Sequence, residues 1–82
     1  MAKHELKTWS EYFQAVLNGS KTFEVRKNDR SFKVGDLLLL REWDNIEYTG
    51  DTALFKITYI LQGGNFGIEA GYCVLGIQKH GW

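Results

Sequence analysis

The spacing of the apolar residues changes once along the chain, and this change constrains the fold more than any other feature. Between Trp9 and Leu17 apolar residues recur every three or four positions, which is typical of one face of an α-helix. From Thr22 onward they alternate or cluster between glycine-rich turns, and many are β-branched or aromatic, as in strands. The sequence therefore predicts an α+β domain with one main helix and about five to six strands.

Both ends of the helix carry recognisable signals. Thr8 and Glu11 have the spacing of a capping box, in which each side chain satisfies an unpaired backbone N–H at the helix start. Gly19 stands where a left-handed residue would end the helix. The stripe that we expect to pack mainly into the core comprises Trp9, Tyr12, Phe13, Val16 and Leu17.

The predicted strands cover residues 4–7, 22–26, 37–43, 53–61 and 72–78. Nine glycines and no proline fit a sheet that bends at glycines and bulges. A chain of 82 residues supports one modest core, so we expect residues 1–82 to form a single domain. The most economical architecture is a small β-barrel with the helix packed at one side.

Composition argues against several functional classes. The one cysteine, Cys73, lies in an apolar run and is interpreted as a core residue. His4 and His80 lack metal-site spacing, and the Gly63–Gly67 segment lacks the pattern of a phosphate-binding loop, so we predict no metal and no cofactor. Without a signal peptide or an apolar span, we expect a cytoplasmic protein that does not enter membranes.

The charge is zero overall but polarised along the chain. Residues 21–33 contain five basic and two acidic side chains, whereas residues 42–51 contain four acidic side chains and no basic one. Within the basic segment, Glu24 and Arg26 are two residues apart on a predicted strand, on the side that we expect to face outward, and Lys21 can reach them. Such a group can hold a planar polar ligand, or it can be a surface ion-pair network worth about 0–1 kcal/mol.

Gly19, Lys21, Glu24 and Arg26 form the pattern GxKxxExR, and with it the chain resembles the activating signal cointegrator homology (ASCH) domains of the PUA-like superfamily. Segments 4–7, 27–30, 34–36, 48–50 and 59–64 look like a small bacterial and phage subgroup of that family. The resemblance implies a PUA-like barrel with a cleft beside the helix, and an association with RNA.

One branch of that superfamily looks like an enzyme that removes the acetyl group from N4-acetylcytidine, using a lysine and a threonine of the signature segment and a later glutamate. Lys21 matches the lysine, but Glu24 occupies the threonine position, and Glu69 is the one candidate for the later glutamate. This departure weakens the implied activity.

The favoured function is therefore a non-catalytic module that binds RNA or a nucleoside ligand. An alternative is an enzyme with Lys21 as activating amine and Glu24 as general acid and base. A third interpretation is an accessory domain that contacts a protein partner through residues 42–51, and an exposed edge strand would also allow a dimer. The predicted binding residues are Lys7, Lys21, Glu24, Arg26, Lys27, Asn28, Arg30 and Phe66, the last as a surface for base stacking.

Overall fold

The computed structural model describes residues 1–82 as one five-stranded sheet and one helix. The elements in chain order are β1 (Lys3–Trp9), α1 (Ser10–Leu17), β2 (Phe23–Lys27), β3 (Leu37–Trp43), β4 (Tyr48–Gln62) and β5 (Tyr72–Lys79). This arrangement confirms the predicted α+β class with one helix. β3 has the predicted bounds, whereas β4 begins five residues before the predicted Ala53 because the polar hairpin pairs with β3.

The sheet has the strand order β1-β3-β4-β5-β2, with β1 and β3 parallel and the other neighbours antiparallel. It curls into a half-barrel whose edge strands, β1 and β2, approach each other without backbone pairing; we call this gap the seam. Side chains cross it instead. Arg26 donates a hydrogen bond from Nη2 to the Lys7 carbonyl, and Arg30 donates one from Nη1 to the Glu5 carbonyl, both with a length of 3.1 Å. The half-barrel therefore stays open between its edge strands, and guanidinium groups of β2 and of the segment after it, not ladder hydrogen bonds, link this side to β1.

Two irregularities in strand pairing accompany the curvature. The β3–β4 register shifts between Arg41 and Trp43, and the β4–β5 register shifts between Ile57 and Tyr59. Gly76 lies beside the second shift, where an added Cβ would be 3.3 Å from Thr58 Oγ1. A bulge needs this close approach, which accounts for glycine at the position.

The core fills the concave side of the sheet beneath α1. Cys73 is fully buried there, and burial raises the pKa of its thiol, which confirms its predicted place in the core. The twelve buried apolar residues are Leu6, Phe13, Val16, Phe32, Leu38, Leu40, Ala53, Phe55, Ile57, Cys73, Leu75 and Ile77.

The start of α1 differs from the prediction. Thr8 belongs to β1, its hydroxyl donates to the Leu6 carbonyl, and no side chain caps the helix, so the predicted capping box is wrong. Phe13 and Val16 enter the core as predicted, and Gly19 ends the helical segment with φ of +84°. Trp9 and Tyr12, however, are exposed. Trp9 is the last residue of β1 and alternates outward from the buried Thr8, whereas Tyr12 falls outside the short buried stripe of a helix with only about two turns.

Candidate functional site

A cleft of about 600 Å³ opens at the seam, where β1 runs into α1 and faces β2. The edge strands separate here, so side chains from three elements surround the opening. The residues that line it are Lys7, Thr8, Trp9, Tyr12, Lys21, Phe23, Glu24, Val25 and Arg26.

The orientation of β2 is opposite to the one that we predicted. Glu24 pairs in register with Leu75, and Arg26 with Cys73, so both polar side chains share the inner face with core residues. Glu24 is only 3% exposed, whereas Phe23 and Val25 point outward and are exposed. The prediction that Glu24 and Arg26 face outward is therefore wrong. A buried carboxylate is tolerated here because it is paired with two cations that lie at an open seam.

Glu24 is the centre of a fixed group of charges. Its Oε2 accepts a hydrogen bond from Lys21 Nζ at 2.6 Å, and its Oε1 accepts from Arg26 Nη2 at 2.8 Å and Nε at 3.1 Å. Lys21 also donates to the Phe23 carbonyl at 2.6 Å, and Arg26 to the Thr8 hydroxyl at 3.1 Å. Both carboxylate oxygens and both cations are thus held in place before any ligand arrives.

An aromatic wall stands beside these charges. The rings of Trp9 and Tyr12 are 6.0 Å apart and inclined by 20°, an approximately stacked arrangement. Lys21 Nζ lies 5.5 Å from the Tyr12 ring centre and 4.9 Å from that of Phe23. Our sequence interpretation placed Trp9 and Tyr12 mainly in the core and missed this wall. Side chains of β1 alternate between the two faces of the sheet, with Leu6 and Thr8 pointing inward. Continuing this alternation by one residue would have predicted that Trp9 points outward.

The other predicted basic residues occupy different places. Lys7 lines the cleft and holds its Nζ 4.6 Å above the Trp43 ring. Arg30 lies elsewhere along the seam, bonded to the Glu5 carbonyl. Lys27 is exposed and does not line the cleft.

The remaining predicted binding residues also lie outside the cleft lining. Asn28 donates from Nδ2 to Gln62 Oε1 at 3.1 Å. Phe66 is 89% exposed in the loop between β4 and β5. A second depression of about 410 Å³ adjoins the cleft at Val25 and includes Glu69. Glu69, the candidate for the later glutamate of the acetyl-removing branch, therefore does not line the cleft that contains Lys21.

The acidic segment 42–51 is partly engaged in local structure. Glu42 is buried and accepts hydrogen bonds from the Thr49 hydroxyl at 2.8 Å and the Gln14 amide at 3.1 Å, and these bonds lower the pKa of its carboxyl group. Asp44 accepts hydrogen bonds from the backbone N–H groups of Glu47 and Ile46 in the hairpin turn, and these bonds lower the pKa of its carboxyl group. Glu47 and Asp51 are exposed.

His4 has a neighbour that explains its position. Its Nε2 is 2.9 Å from Asp36 Oδ2, and Asp36 also accepts the backbone N–H groups of Ala2 and Lys33. The hydrogen bond with His4 is the main cause of the lowered pKa of Asp36. This cluster ties the start of β1 to the turn before β3. No group of three or more His, Cys, Asp and Glu side chains is placed to hold a metal, and no helix has the length and apolar character needed to cross a membrane.

The fold and cleft together describe a small half-barrel domain with a polar and aromatic opening between its edge strands. Residues 3–77 match the model of the family described as Domain of unknown function (DUF3850), and the chain belongs to this family. It is 46% identical over 59 residues, 71% of this chain, to the "Uncharacterized 12.9 kDa protein in GpA 3'region" of Escherichia phage P2. The match covers 54% of the phage protein, so the chain spans about half the length of this relative.

Proposed function

We propose that the cleft binds a nucleobase of single-stranded RNA. The observation that carries the proposal is the presence, in one opening, of the exposed Trp9–Tyr12 stack and of Glu24 fixed between two cations. Single-stranded RNA is recognised in general by stacking unpaired bases on aromatic rings and by hydrogen bonds to their edges. The aromatic wall supplies the first kind of contact, and the charged group supplies the second.

The free polar groups favour a base edge that carries hydrogen-bond acceptors. Arg26 uses Nε and Nη2 in its internal hydrogen bonds, so Nη1 remains for a ligand. Lys21 donates to two acceptors and retains one further N–H. Both groups are donors, so carbonyl oxygens and unprotonated ring nitrogens of a base suit them.

Binding in the cleft itself is expected to depend only weakly on salt. Lys21 and Arg26 are already paired with Glu24, and the chain has no net charge. A single contact with a phosphate would give a slope of log K against log salt near about −0.7. We expect a mononucleotide to show a slope no steeper than that.

We further propose that the chain shares the PUA-like architecture of ASCH domains. The pattern GxKxxExR supports this relation, because its Lys21, Glu24 and Arg26 all converge on the cleft. An experimental structure of the protein with a bound nucleotide would test both the architecture and the site.

The test of the binding function is a titration with the four common ribonucleoside monophosphates and N4-acetylcytidine, in which tryptophan fluorescence reports binding. We expect saturable binding of at least one of them, and an affinity about tenfold lower in Tyr12→Ala, the loss expected for one base–aromatic stack. Tyr59→Ala is the matched control, because Tyr59 is 66% exposed on β4 and does not line the cleft. Absence of binding, or equal losses in the two variants, would refute the proposal.

The same titration separates binding from catalysis. Lys21 Nζ lies 2.6 Å from Glu24 Oε2 inside the cleft, so two side chains of the types used in general acid–base catalysis are adjacent there. Acetate release from N4-acetylcytidine that disappears in Lys21→Ala would make the protein an enzyme. Binding without release supports a recognition module.

A further inference from the structure

Two basic residues lie side by side on the outer surface of the sheet, beside the cleft. Lys7 of β1 and Arg41 of β3 are partners in the parallel register. Neither is among the ion pairs of the chain, whose cations are His4, Lys21, Arg26 and Arg30. Like charges directly opposite on adjacent strands are destabilising. A pair of this kind without a carboxylate partner is suited to an anion.

Each of these cations rests on an aromatic ring. Lys7 Nζ lies 4.6 Å from the Trp43 ring centre, and Arg41 Cζ lies 4.0 Å from that of Tyr48. The two rings contact each other edge to face, with centres 5.1 Å apart. The cations are therefore held over a pair of mutually inclined aromatic rings that are themselves partly exposed.

This surface adjoins the cleft. Trp9 pairs in register with Trp43, and Trp9 in turn stacks on Tyr12 at the cleft wall. We use the name aromatic track for the four rings that run from the cleft to the β3–β4 hairpin: Tyr12, Trp9, Trp43 and Tyr48. Lys7 belongs to both places, because it lines the cleft and covers Trp43.

We propose that the aromatic track binds the continuation of the single strand whose base occupies the cleft, with Lys7 and Arg41 contacting its phosphates. This inference rests on the proposed function of the cleft. Stacking rings combined with cations along a path are the usual means of holding single-stranded nucleic acid. The two unpaired cations favour a polyanion over a peptide as the occupant. Glu5 lies on the same face of β1 but is not within ion-pair distance of Lys7.

The experiment compares a nucleoside monophosphate that binds the cleft with a single-stranded RNA hexamer containing the same base. Wild-type protein is expected to bind the hexamer more tightly and with a steeper salt dependence. Arg41→Gln should make the salt slope of hexamer binding shallower by about 0.7, and Tyr48→Leu should weaken hexamer binding by about tenfold. Neither residue lines the cleft, so both variants should bind the monophosphate like wild type.

Lys33→Gln is the charge-matched control, because Lys33 is exposed in the segment before β3 and belongs to neither surface. Thermal unfolding of each variant shows whether the fold is retained. Equal affinity for monophosphate and hexamer would refute binding along the aromatic track but not binding in the cleft. Equal effects of Arg41→Gln and Lys33→Gln on the salt slope of hexamer binding would have the same meaning. Failure of both ligands to bind would overturn the cleft and the track together. If the hexamer did not bind but a proline-rich peptide did, and Tyr48→Leu abolished peptide binding, the surface would be assigned to a protein partner instead.

Discussion

Two buried glutamates in this domain have opposite surroundings. Glu24 on β2 and Glu42 on β3 are 3% and 7% exposed, and each has its carboxylate oxygens occupied by hydrogen bonds. Glu24 has charged partners, Lys21 and Arg26, which line an open cleft. Glu42 has neutral partners, Gln14 and Thr49, which join the helix to the β3–β4 hairpin.

The difference lies in what each carboxylate leaves available to a ligand. Neutral donors around Glu42 satisfy it without offering a further charge, so its contribution is to hold two elements together. Around Glu24 the cations have more donors than the carboxylate can accept, and both cations line the cleft, where Arg26 Nη1 has no hydrogen-bond partner within the protein. Burial of a glutamate therefore marks a candidate binding site here only where its partners are charged and accessible.

The largest effect is expected for Glu24→Ala. This change leaves Lys21 and Arg26 partly buried without their common partner, and we expect the free energy of unfolding to fall by about 2 to 3 kcal/mol, less than for a fully enclosed pair because the cleft admits water. Nucleotide binding should be lost, since both cations are freed from their positions. Urea unfolding and fluorescence titration measure the two effects. A variant that folds and binds like wild type would remove Glu24 from the site.

The same substitution at the second glutamate sharpens the comparison. Glu42→Ala removes a carboxylate that accepts hydrogen bonds from two neutral donors, so we expect the free energy of unfolding to fall by about 1 to 2 kcal/mol. Nucleotide affinity should not change, because Glu42 does not line the cleft. If the folded variant lost binding as Glu24→Ala does, the distinction between a structural and a binding glutamate would be wrong.

The features that could be predicted from the sequence are those decided by neighbouring residues. The bounds of β3, the glycine that ends α1 and the buried place of Cys73 all follow from local composition and spacing. The grouping of Lys21, Glu24 and Arg26 was also predictable, because it depends on a short turn and on two residues of one strand.

The features that could not be predicted depend on distant partners. In β2 the apolar residues Phe23 and Val25 suggested the inner face, but cross-strand pairing with β5 turns Glu24 inward and leaves the apolar pair exposed. Arg26 makes this orientation stable by reaching Thr8, eighteen positions earlier in the chain. The aromatic wall was missed for a similar reason, because the spacing of Trp9 fits a helix as well as the end of a strand.

The smallest expected effect is on how the free energy of unfolding changes at low pH, and it concerns structural carboxylates such as Glu42. The pKa values of Glu42 and Asp36 are lowered in the folded chain, mainly by hydrogen bonds from Thr49 and from His4 respectively. Each carboxyl group then binds protons more weakly in the folded chain than in the unfolded one, so its stabilising contribution is complete above the unfolded pKa of about 4 and is lost as pH falls through the lower folded value.

We therefore expect the free energy of unfolding, measured with urea, to be nearly constant from about pH 7 to pH 5 and to decrease below that. We call this decrease below about pH 5 the acid limb. Glu42→Gln should make the acid limb less steep, because glutamine does not titrate, and Asp36→Asn should reduce its slope for the same reason. Glu47→Gln, a change at an exposed carboxylate of the same hairpin, is the control and should leave the limb as it is. An acid limb that is identical in Glu42→Gln and Glu47→Gln would show that the hydrogen bonds of Glu42 do not stabilise the fold through its ionised form.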